Sequence, residues 1–224
     1  MQSLTSVDLS NEAFPFRTAR EIDIGVARVL CVRITYLGEL GYELYIPTEQ
    51  ATHVYDRIVL AGERFGLRHA GLKALASLRM EKGYRDYGHD IDNTDSVLEA
   101  GLGFAVDLKK PGGFLGKEAV LAKKAQGPLK RRIVQVLVKD PDPLMFHAEI
   151  VRRSGKPVGY VRAASYGHTL GGAVGLAMVE GGSETVDAAY VDAGAWEVEI
   201  AGKLHPAVAS IKPLFDPANE KIKR

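Results

Sequence analysis

Two stretches in the first part of the chain alternate apolar and polar residues in the way that strands do. Residues 26–36 are rich in β-branched side chains, and residues 42–46 carry apolar and polar side chains in turn. Gly38 and Gly41 lie between them, and glycine is frequent in tight turns. The pattern therefore predicts a β-hairpin, preceded by a polar, loop-like segment over residues 1–25.

Helical spacing of apolar residues follows the predicted hairpin. Between residues 54 and 65 apolar side chains recur three or four positions apart, and Gly66 follows as a typical C-terminal stop. Thr48 is a residue type that caps helix N-termini, so we place the start of this helix there. A second helix is predicted from about residue 72 to residue 82, where Gly83 ends it. Strands followed by helices indicate an α+β fold.

The pattern changes near the middle of the chain. An apolar run at residues 102–106 predicts a strand, residues 116–125 predict a short helix, and the Gln-Gly-Pro sequence at residues 126–128 is the best candidate for a domain boundary. We therefore predict an α/β lobe at residues 1–127 and a small antiparallel β-barrel or sandwich at residues 128–224. The strands predicted in this second lobe are residues 132–138, 147–152, 157–163, 172–179 and 196–200.

Composition and charge narrow the class of protein. With 224 residues, of which 46% are hydrophobic and 25% charged, the chain can bury a full core. Lys and Arg number 29 and Asp and Glu number 28, so a net charge of +1 gives no electrostatic reason to expect nucleic acid or an anionic membrane as a partner. Cys31 is the single cysteine of the sequence; it excludes a disulfide framework, is expected to be a buried thiol, and fits a reducing cytoplasm.

Several kinds of segment and site are not expected from the sequence. The N-terminus lacks the basic and apolar regions of a signal peptide, and no apolar run approaches the roughly 20 residues that cross a bilayer. The six histidines show no metal-binding spacing, and no glycine-rich motif for nucleotide phosphates is present. We therefore expect a soluble, cytoplasmic protein without a metal site.

The turn of the predicted hairpin concentrates groups that can bind a flat heterocycle. Tyr36, Glu39 and Glu43 lie close together in the sequence, among the two glycines. A carboxylate accepts two parallel hydrogen bonds from an N–H and N–H₂ edge such as that of a pterin, while an aromatic ring covers a face of the heterocycle. An ordinary hairpin with Glu39 in solvent and Tyr36 in the core explains the same residues. Chemistry alone leaves both readings open.

A second charged stretch lies at residues 71–85, on the second predicted helix. Arg79 and Glu81 are two positions apart and so do not face each other on a helix. One of them can point into a pocket, or both can be surface charges. Residues 165–169 contain a serine and a histidine but not the glycine elbow of a nucleophilic serine, so we predict no catalysis of that kind there.

Taken together, these stretches resemble the folate-binding family of the glycine-cleavage T-protein (aminomethyltransferase), and most of all the C-terminal folate domain of sarcosine and dimethylglycine dehydrogenases. The family's hairpin signature R-x-x-Y-T-G-E-x-G-x-E corresponds to residues 33–43, with Leu37 in place of the threonine. Five further motifs of the dehydrogenase branch occur in the same order, at residues 77–85 (S-L-R-x-E-K-G-Y-R), 98–102 (L-E-A-G-L), 113–119 (G-F-x-G-[KR]-E-A), 166–171 (Y-G-H-[TS]-L-G) and 212–217 (K-P-L-[FY]-D-P).

The resemblance implies a fold, a cofactor and a set of binding residues. It implies a three-lobed ring around a folate, of which this chain supplies a ferredoxin-like α/β lobe and the C-terminal β-barrel lobe. The implied cofactor is tetrahydrofolate, and no FAD site is expected in this chain. Glu43 is expected to hold the amino-pyrimidine edge of the pterin, and Tyr36 to line the same pocket. Arg79 and Tyr166, which lie in two of the further motifs, are predicted as folate-binding residues as well.

Two departures from the family pattern bear on catalysis. T-proteins carry an Arg-Asp pair where this chain has Leu75-Ala76, a change that the dehydrogenase branch shares. The family's catalytic Asp belongs to an N-terminal lobe that is expected to precede Met1, so no catalytic residue is assigned within the chain. Asp8, Asp23 and Asp90 lie outside the motif of that residue, and its role is transferred to none of them.

Two functions of different classes follow from the resemblance. The first is tetrahydrofolate-dependent transfer of an aminomethyl or formaldehyde carbon from a small methylated amine, by an aminomethyltransferase-type enzyme or by a piece of an amine dehydrogenase. The second is a non-catalytic folate-binding or interaction module that docks on a separate flavoprotein subunit. Neither function involves nucleic acid or a membrane as partner.

Overall fold

The computed structural model describes residues 1–223, which form two compact units. The first unit contains residues 1–78 together with the described residues from 218 onward, and the second contains residues 79–217. The division falls inside one helix, Leu72–Glu81. The lobe boundary that we predict after residue 127 lies within the second unit. That the segments on either side of residue 127 fold as separate lobes stays a prediction.

A three-stranded antiparallel sheet forms the centre of the first unit. Its strands are β1 (Ala19–Ile24), β2 (Ala27–Val32) and β3 (Glu43–Tyr45), with β2 in the middle. Leu30 of β2 lies opposite Tyr45 of β3, which confirms the predicted hairpin.

One face of this sheet packs into the core of the first unit. Ala27, Val29 and Cys31, at alternate positions of β2, are buried, as are Ile22 and Ile24 of β1. Burial raises the pKa of the Cys31 thiol, as expected for an inert core cysteine. The segment before residue 26 was predicted to be a loop, and strand β1 corrects that prediction. The strand was missed because its two buried isoleucines stand among charged residues that hide the alternation of apolar and polar positions.

Both helices predicted after the hairpin are present. Helix α1 spans Ala51–Gly62 and α2 spans Leu72–Glu81. Gly66, which follows α1 after a short 3₁₀ turn, has a φ of 68°, a left-handed conformation that glycine adopts without strain. Thr48 does not cap α1, contrary to the prediction, because it begins a 3₁₀ turn, Thr48–Gln50, that separates it from the first α-helical residue.

Turns and one helix connect α2 to the remainder of the second unit. Helix α3 spans Lys117–Ala125 and confirms the predicted short helix. The strand predicted at residues 102–106 was wrong, since Gly103–Ala105 form a 3₁₀ turn there. The backbone N–H of Ala105 donates to the carbonyl oxygen of Leu102 at 2.9 Å, so this hydrogen bond lies within the turn and does not join two strands. The bulky Phe104 of the apolar run faces solvent.

A closed antiparallel barrel of six strands forms the core of the second unit. The strands are β4 (Arg131–Val138), β5 (Ile150–Arg153), β6 (Lys156–Gly167), β7 (Gly172–Glu180), β8 (Trp196–Ile200) and β9 (Lys203–Ser210). Around the barrel their order is β4-β7-β6-β5-β8-β9. The five predicted strands are present, and β9 is a sixth strand that was not predicted. Because the sheet closes on itself, the second lobe is a barrel and not a sandwich, the two alternatives that the sequence left open. The predicted α+β fold with a small antiparallel barrel is therefore confirmed.

A short helix bridges two strands of the barrel. Helix α4 spans Ala188–Asp192, and the Asp187 carboxylate caps it by accepting a hydrogen bond from the backbone N–H of Tyr190 at 2.9 Å. Tyr190 and Trp196 pack edge to face inside the barrel core. Within residues 1–223, no helix has the length and apolar character needed to span a membrane.

Candidate functional site

The connection between β2 and β3 carries Tyr36 and is shaped by its glycines. Tyr36 is half-buried in this connection. Gly38 has a φ of 76°, which favours glycine over other residues. A Cβ atom on Gly41 would lie 2.9 Å from the carbonyl oxygen of Ile34, so a larger residue there would push the two backbone segments apart. The glycines of the motif thus permit a close turn that holds Tyr36 beside the hairpin.

Glu43 begins β3 and has an exposed side chain. It lies opposite Val32 in the strand register, and on this side of the sheet Leu30 and Tyr45 are also exposed. The Tyr45 hydroxyl donates a hydrogen bond to Glu43 Oε2 at 2.9 Å, and this bond raises the pKa of Tyr45. A carboxylate offers about four lone-pair positions. Glu43 can therefore accept further hydrogen bonds from a ligand that lies on this face.

Other residues of the same motif stabilise the fold instead. The Arg33 side chain is buried, and its guanidinium donates hydrogen bonds to the carbonyl oxygen of Phe14 at 2.7 Å and to the side chain of Asn11. The Tyr42 ring stacks on the Phe14 ring with 6.2 Å between centroids. These contacts attach the N-terminal segment to the sheet, whereas Glu39 and Glu43 of the same motif are exposed.

Arg79, predicted from the second motif, forms a buried ion pair. Its guanidinium binds both oxygens of the Asp90 carboxylate, with one of the two hydrogen bonds at 3.2 Å, and it also donates to the carbonyl oxygen of Tyr84 at 3.0 Å. Only 7% of Arg79 is exposed, and Asp90 is fully buried. The backbone N–H of Asp86 donates to the same carboxylate at 2.9 Å. This network fixes the turn that follows α2.

Glu81, two residues further along, connects the motif of Arg79 to the motif of Tyr166. Glu81 Oε1 accepts hydrogen bonds from the backbone N–H groups of Thr169 and Leu170, at 2.6 and 3.0 Å. These residues form the turn between β6 and β7, and only 1% of Glu81 is exposed. Tyr166 lies at the end of β6, where its half-buried ring is 5.1 Å from the ring of His168. Glu81 therefore fixes the turn that follows Tyr166.

The next residue of the motif, Lys82, connects α2 to the C-terminal motif. Its ammonium donates hydrogen bonds to the carbonyl oxygens of Phe215 and Asp216, and it lies 3.3 Å from the Asp216 carboxylate. Gln135 of β4 donates to the carbonyl oxygen of Met80 at 2.6 Å and accepts from the backbone N–H of Leu214 at 2.7 Å. Gln135 could not be predicted from a local sequence pattern, because its partners are distant backbone atoms.

The four predicted folate-binding residues fall into two pairs. Tyr36 and Glu43 belong to one hairpin of the first unit. Arg79 and Tyr166 belong to the second unit. There the Glu81 carboxylate joins the end of α2, which carries Arg79, to the turn that follows Tyr166. Their roles in folate binding stay predictions. Among residues 1–223, no group of three or more His, Cys, Asp or Glu side chains is placed to hold a metal ion.

A further ionic cluster of the second unit centres on Glu99. Its carboxylate lies 3.0 Å from Lys123 Nζ and accepts a hydrogen bond from the backbone N–H of Ser96 at 3.2 Å. Nearby, the buried carboxylate of Asp95 pairs with Arg131 at 2.8 Å. Burial acts to raise the pKa of Glu99, but the bonds to Lys123 and Ser96 outweigh burial and hold this pKa below its ordinary value of 4.5.

Glu99→Gln is expected to weaken the dependence of stability on acid pH. Because the pKa of Glu99 is lower in the folded protein, its stabilising contribution is complete above about pH 4.5 and is lost as the pH falls through the folded-state pKa. Urea unfolding from about pH 6 down to pH 3 should show the variant less stable at the upper end and converging with wild type in acid. Parallel curves would contradict the role of Glu99, and Glu118→Gln, an exposed carboxylate of α3, serves as the control.

Comparison with protein families matches both units of the chain. A model of the GCVT N-terminal domain matches residues 1–110, and a model of the glycine cleavage T-protein C-terminal barrel domain matches residues 131–216. The second match covers all six strands of the barrel, from β4 to β9.

Two curated relatives align with the full length of the chain. The chain is 41% identical over 223 residues to 4-methylaminobutanoate oxidase (formaldehyde-forming) of Paenarthrobacter nicotinovorans, of which it covers 26%. It is 39% identical over 226 residues to the mitochondrial sarcosine dehydrogenase of Homo sapiens, of which it covers 24%. The chain thus spans about a quarter of the length of these relatives.

A solved structure has the same fold. The chain is similar to glycine cleavage system aminomethyltransferase T from Bartonella henselae, with a TM-score of 0.74 and 23% sequence identity. The match covers 93% of this chain and 54% of that one. At this identity the likeness supports the fold alone.

Proposed function

Because the chain belongs to the glycine-cleavage T-protein family, we propose that it is a tetrahydrofolate-binding domain that transfers a one-carbon unit. The carbon comes from a small methylated amine, as an aminomethyl or formaldehyde unit. The observation that carries the proposal is the exposed carboxylate of Glu43, which lies on an open face of the hairpin. The sequence of this hairpin, residues 33–43, is the one that resembles the family's signature.

Glu43 offers what the edge of a pterin requires. Its known partner is the Tyr45 hydroxyl, so acceptor positions remain for the N–H and N–H₂ donors of an amino-pyrimidine edge. Leu30 and Val32, next to it on β2, present apolar surface that a flat ring can cover. Tyr36, half-buried in the same hairpin, is the second proposed pterin contact.

The residues of this chain would orient the cofactor. A bound reduced folate supplies the two nitrogens that accept the carbon. Two parallel hydrogen bonds to Glu43 would fix the rotation of a bound pterin ring, so that capture of the carbon would become a local reaction instead of a bimolecular one. Arg79 and Tyr166 are proposed as further folate contacts. To contact folate, the Arg79 guanidinium must donate a hydrogen bond in addition to those that it donates to the Asp90 carboxylate and to the carbonyl oxygen of Tyr84.

We infer that the chain works together with an amine-oxidising flavoprotein. The oxidase and the dehydrogenase that align with its full length are about four times longer, which supports an oxidising part beyond the region that this chain matches. The lone, buried Cys31 supports the cytoplasm as the proposed location.

Glu43→Ala is expected to weaken binding of a reduced folate about 10- to 100-fold, because hydrogen bonds to a charged group contribute about 1.5–3 kcal/mol. Calorimetric titration of the full chain with folinate, a stable reduced folate, measures the dissociation constant. Glu49→Ala removes an exposed carboxylate from the 3₁₀ turn before α1 and is the matched control. Absence of binding by the wild-type chain would sink the proposal, and equal binding by both variants would remove Glu43 from the site.

Transfer is tested separately from binding. Wild-type chain, tetrahydrofolate and formaldehyde are mixed, and the rate of methylene-folate formation is compared with the rate without protein. Acceleration that Glu43→Ala abolishes supports a transfer domain. Binding of folinate without acceleration supports the non-catalytic module that docks on a flavoprotein.

A further inference from the structure

A cavity of about 470 Å³ lies in the second unit, where residues of α3 and the start of β4 contribute to its walls. The apolar part of the wall is formed by Leu98, Phe104, Val106, Leu108, Val120 and Leu129. Phe104 is 85% exposed, so its ring would gain burial from a bound molecule. The volume falls in the range of small-molecule pockets. None of the four residues assigned to folate lines it, so this inference does not rest on the proposed function.

The charged residues of this wall are both cations. They are Lys124 of α3 and Arg132 of β4, and no carboxylate lines the cavity among the described residues. The Nε atom of Arg132 is buried and has no hydrogen-bond partner within residues 1–223. The preceding residue, Arg131, differs because it pairs with Asp95 at 2.8 Å. A buried donor without a partner calls for an acceptor, which a ligand in the cavity would supply.

A second guanidinium adds positive charge near Arg132. A Cβ atom on Gly101, a wall residue, would lie 2.8 Å from an Nη atom of Arg85. Burial lowers the pKa of Arg85; the charge of Asp90 opposes this effect and the charge of Arg132 adds to it. The two guanidinium groups therefore repel each other, and an anion bound at Arg132 reduces that repulsion.

We propose that this cavity binds a small organic carboxylate with an apolar or aromatic body. The planar carboxylate accepts hydrogen bonds from the Arg132 guanidinium, which turns to bring its buried Nε edge to the ligand. Lys124 adds a second positive charge, and the body of the molecule packs against Phe104 and the aliphatic wall. The combination of an apolar wall with two cations selects an amphipathic anion over a neutral or a cationic ligand.

The experiment uses the full chain with 2-naphthoate and its neutral isostere, 2-naphthamide. Naphthalene fluorescence is expected to report saturable binding of the carboxylate to one site. The amide, and the carboxylate with Arg132→Gln, are expected to bind about 10- to 100-fold more weakly, because each loses the charge-assisted contact. Lys130→Gln removes a neighbouring exposed cation that does not line the cavity, and it should bind 2-naphthoate as wild type does.

The outcomes separate the charge of the site from its shape. Equal binding of the acid and the amide by wild type overturns the carboxylate assignment, even if Arg132→Gln fails to fold. Val120→Phe narrows the cavity from α3 and should weaken both probes, so undiminished binding places the ligand elsewhere and overturns the site. No saturable binding of 2-naphthoate by wild type up to on the order of 1 mM overturns the proposal altogether.

Discussion

Asp90→Ala is expected to lower the free energy of unfolding by about 3–5 kcal/mol, because it leaves a buried guanidinium without its carboxylate. Asp90 is fully buried, and its oxygens accept hydrogen bonds from Arg79 and from the backbone N–H of Asp86. The carbonyl oxygen of Tyr84 remains as a partner of Arg79, but it is uncharged and does not replace the lost attraction. Urea unfolding of the variant and of wild type measures the difference.

Two comparisons separate the ion pair from other effects of the substitution. Asp142→Ala removes an exposed carboxylate and should change stability by less than about 0.5 kcal/mol. Replacing both partners, Arg79→Met with Asp90→Leu, should recover much of the stability, since an apolar pair does not leave a lone buried charge. A loss below about 1 kcal/mol in Asp90→Ala would contradict the buried pair. Folinate binding by the double variant then tests Arg79 as a folate contact.

The barrel shows which part of a fold can be predicted from local pattern. A strand such as β7 is a short apolar run bounded by turn residues, so its position follows from the sequence. Closure does not, because it depends on pairing between β4 and β9, as at Val136 and Ala209, which are far apart in the chain. Strand β9 escaped prediction because His205 and Pro206 interrupt its apolar residues.

The candidate site shows a related limit. The motifs identify the residues, but the direction of each side chain depends on the strand register and on distant partners. Arg33 and Glu43 belong to one motif, yet the first is buried and the second is exposed. Arg79 lies on a predicted helix, yet its partner Asp90 is eleven residues away in a turn without regular pattern. Such pairings appear only when the chain is folded, so the sequence alone left the reading of Arg79 open.

Glu81→Ala is expected to lower the free energy of unfolding by about 3 kcal/mol or more, because each hydrogen bond to a charged group contributes about 1.5–3 kcal/mol. The variant leaves the part-buried backbone N–H groups of Thr169 and Leu170 without the carboxylate oxygen that they share. A Cβ atom on Gly167 would lie 3.1 Å from the same oxygen, so the carboxylate also fills the space beneath the turn. Both effects should loosen the turn between β6 and β7.

Hydrogen exchange distinguishes this effect from a general loss of stability. Relative to wild type, Glu81→Ala should raise the exchange rates of the Thr169 and Leu170 amides more than those of amides in the middle of β6. The reason is that local protection of the two turn amides depends on Glu81. Thr169→Ala keeps the backbone N–H and removes an exposed side chain, so it should exchange at Leu170 as wild type does. Lower stability with unchanged exchange at these two amides would mean that Glu81 stabilises α2 and does not hold the turn. Because Tyr166 lies at the end of β6, a loosened turn should also weaken folinate binding if Tyr166 contacts folate.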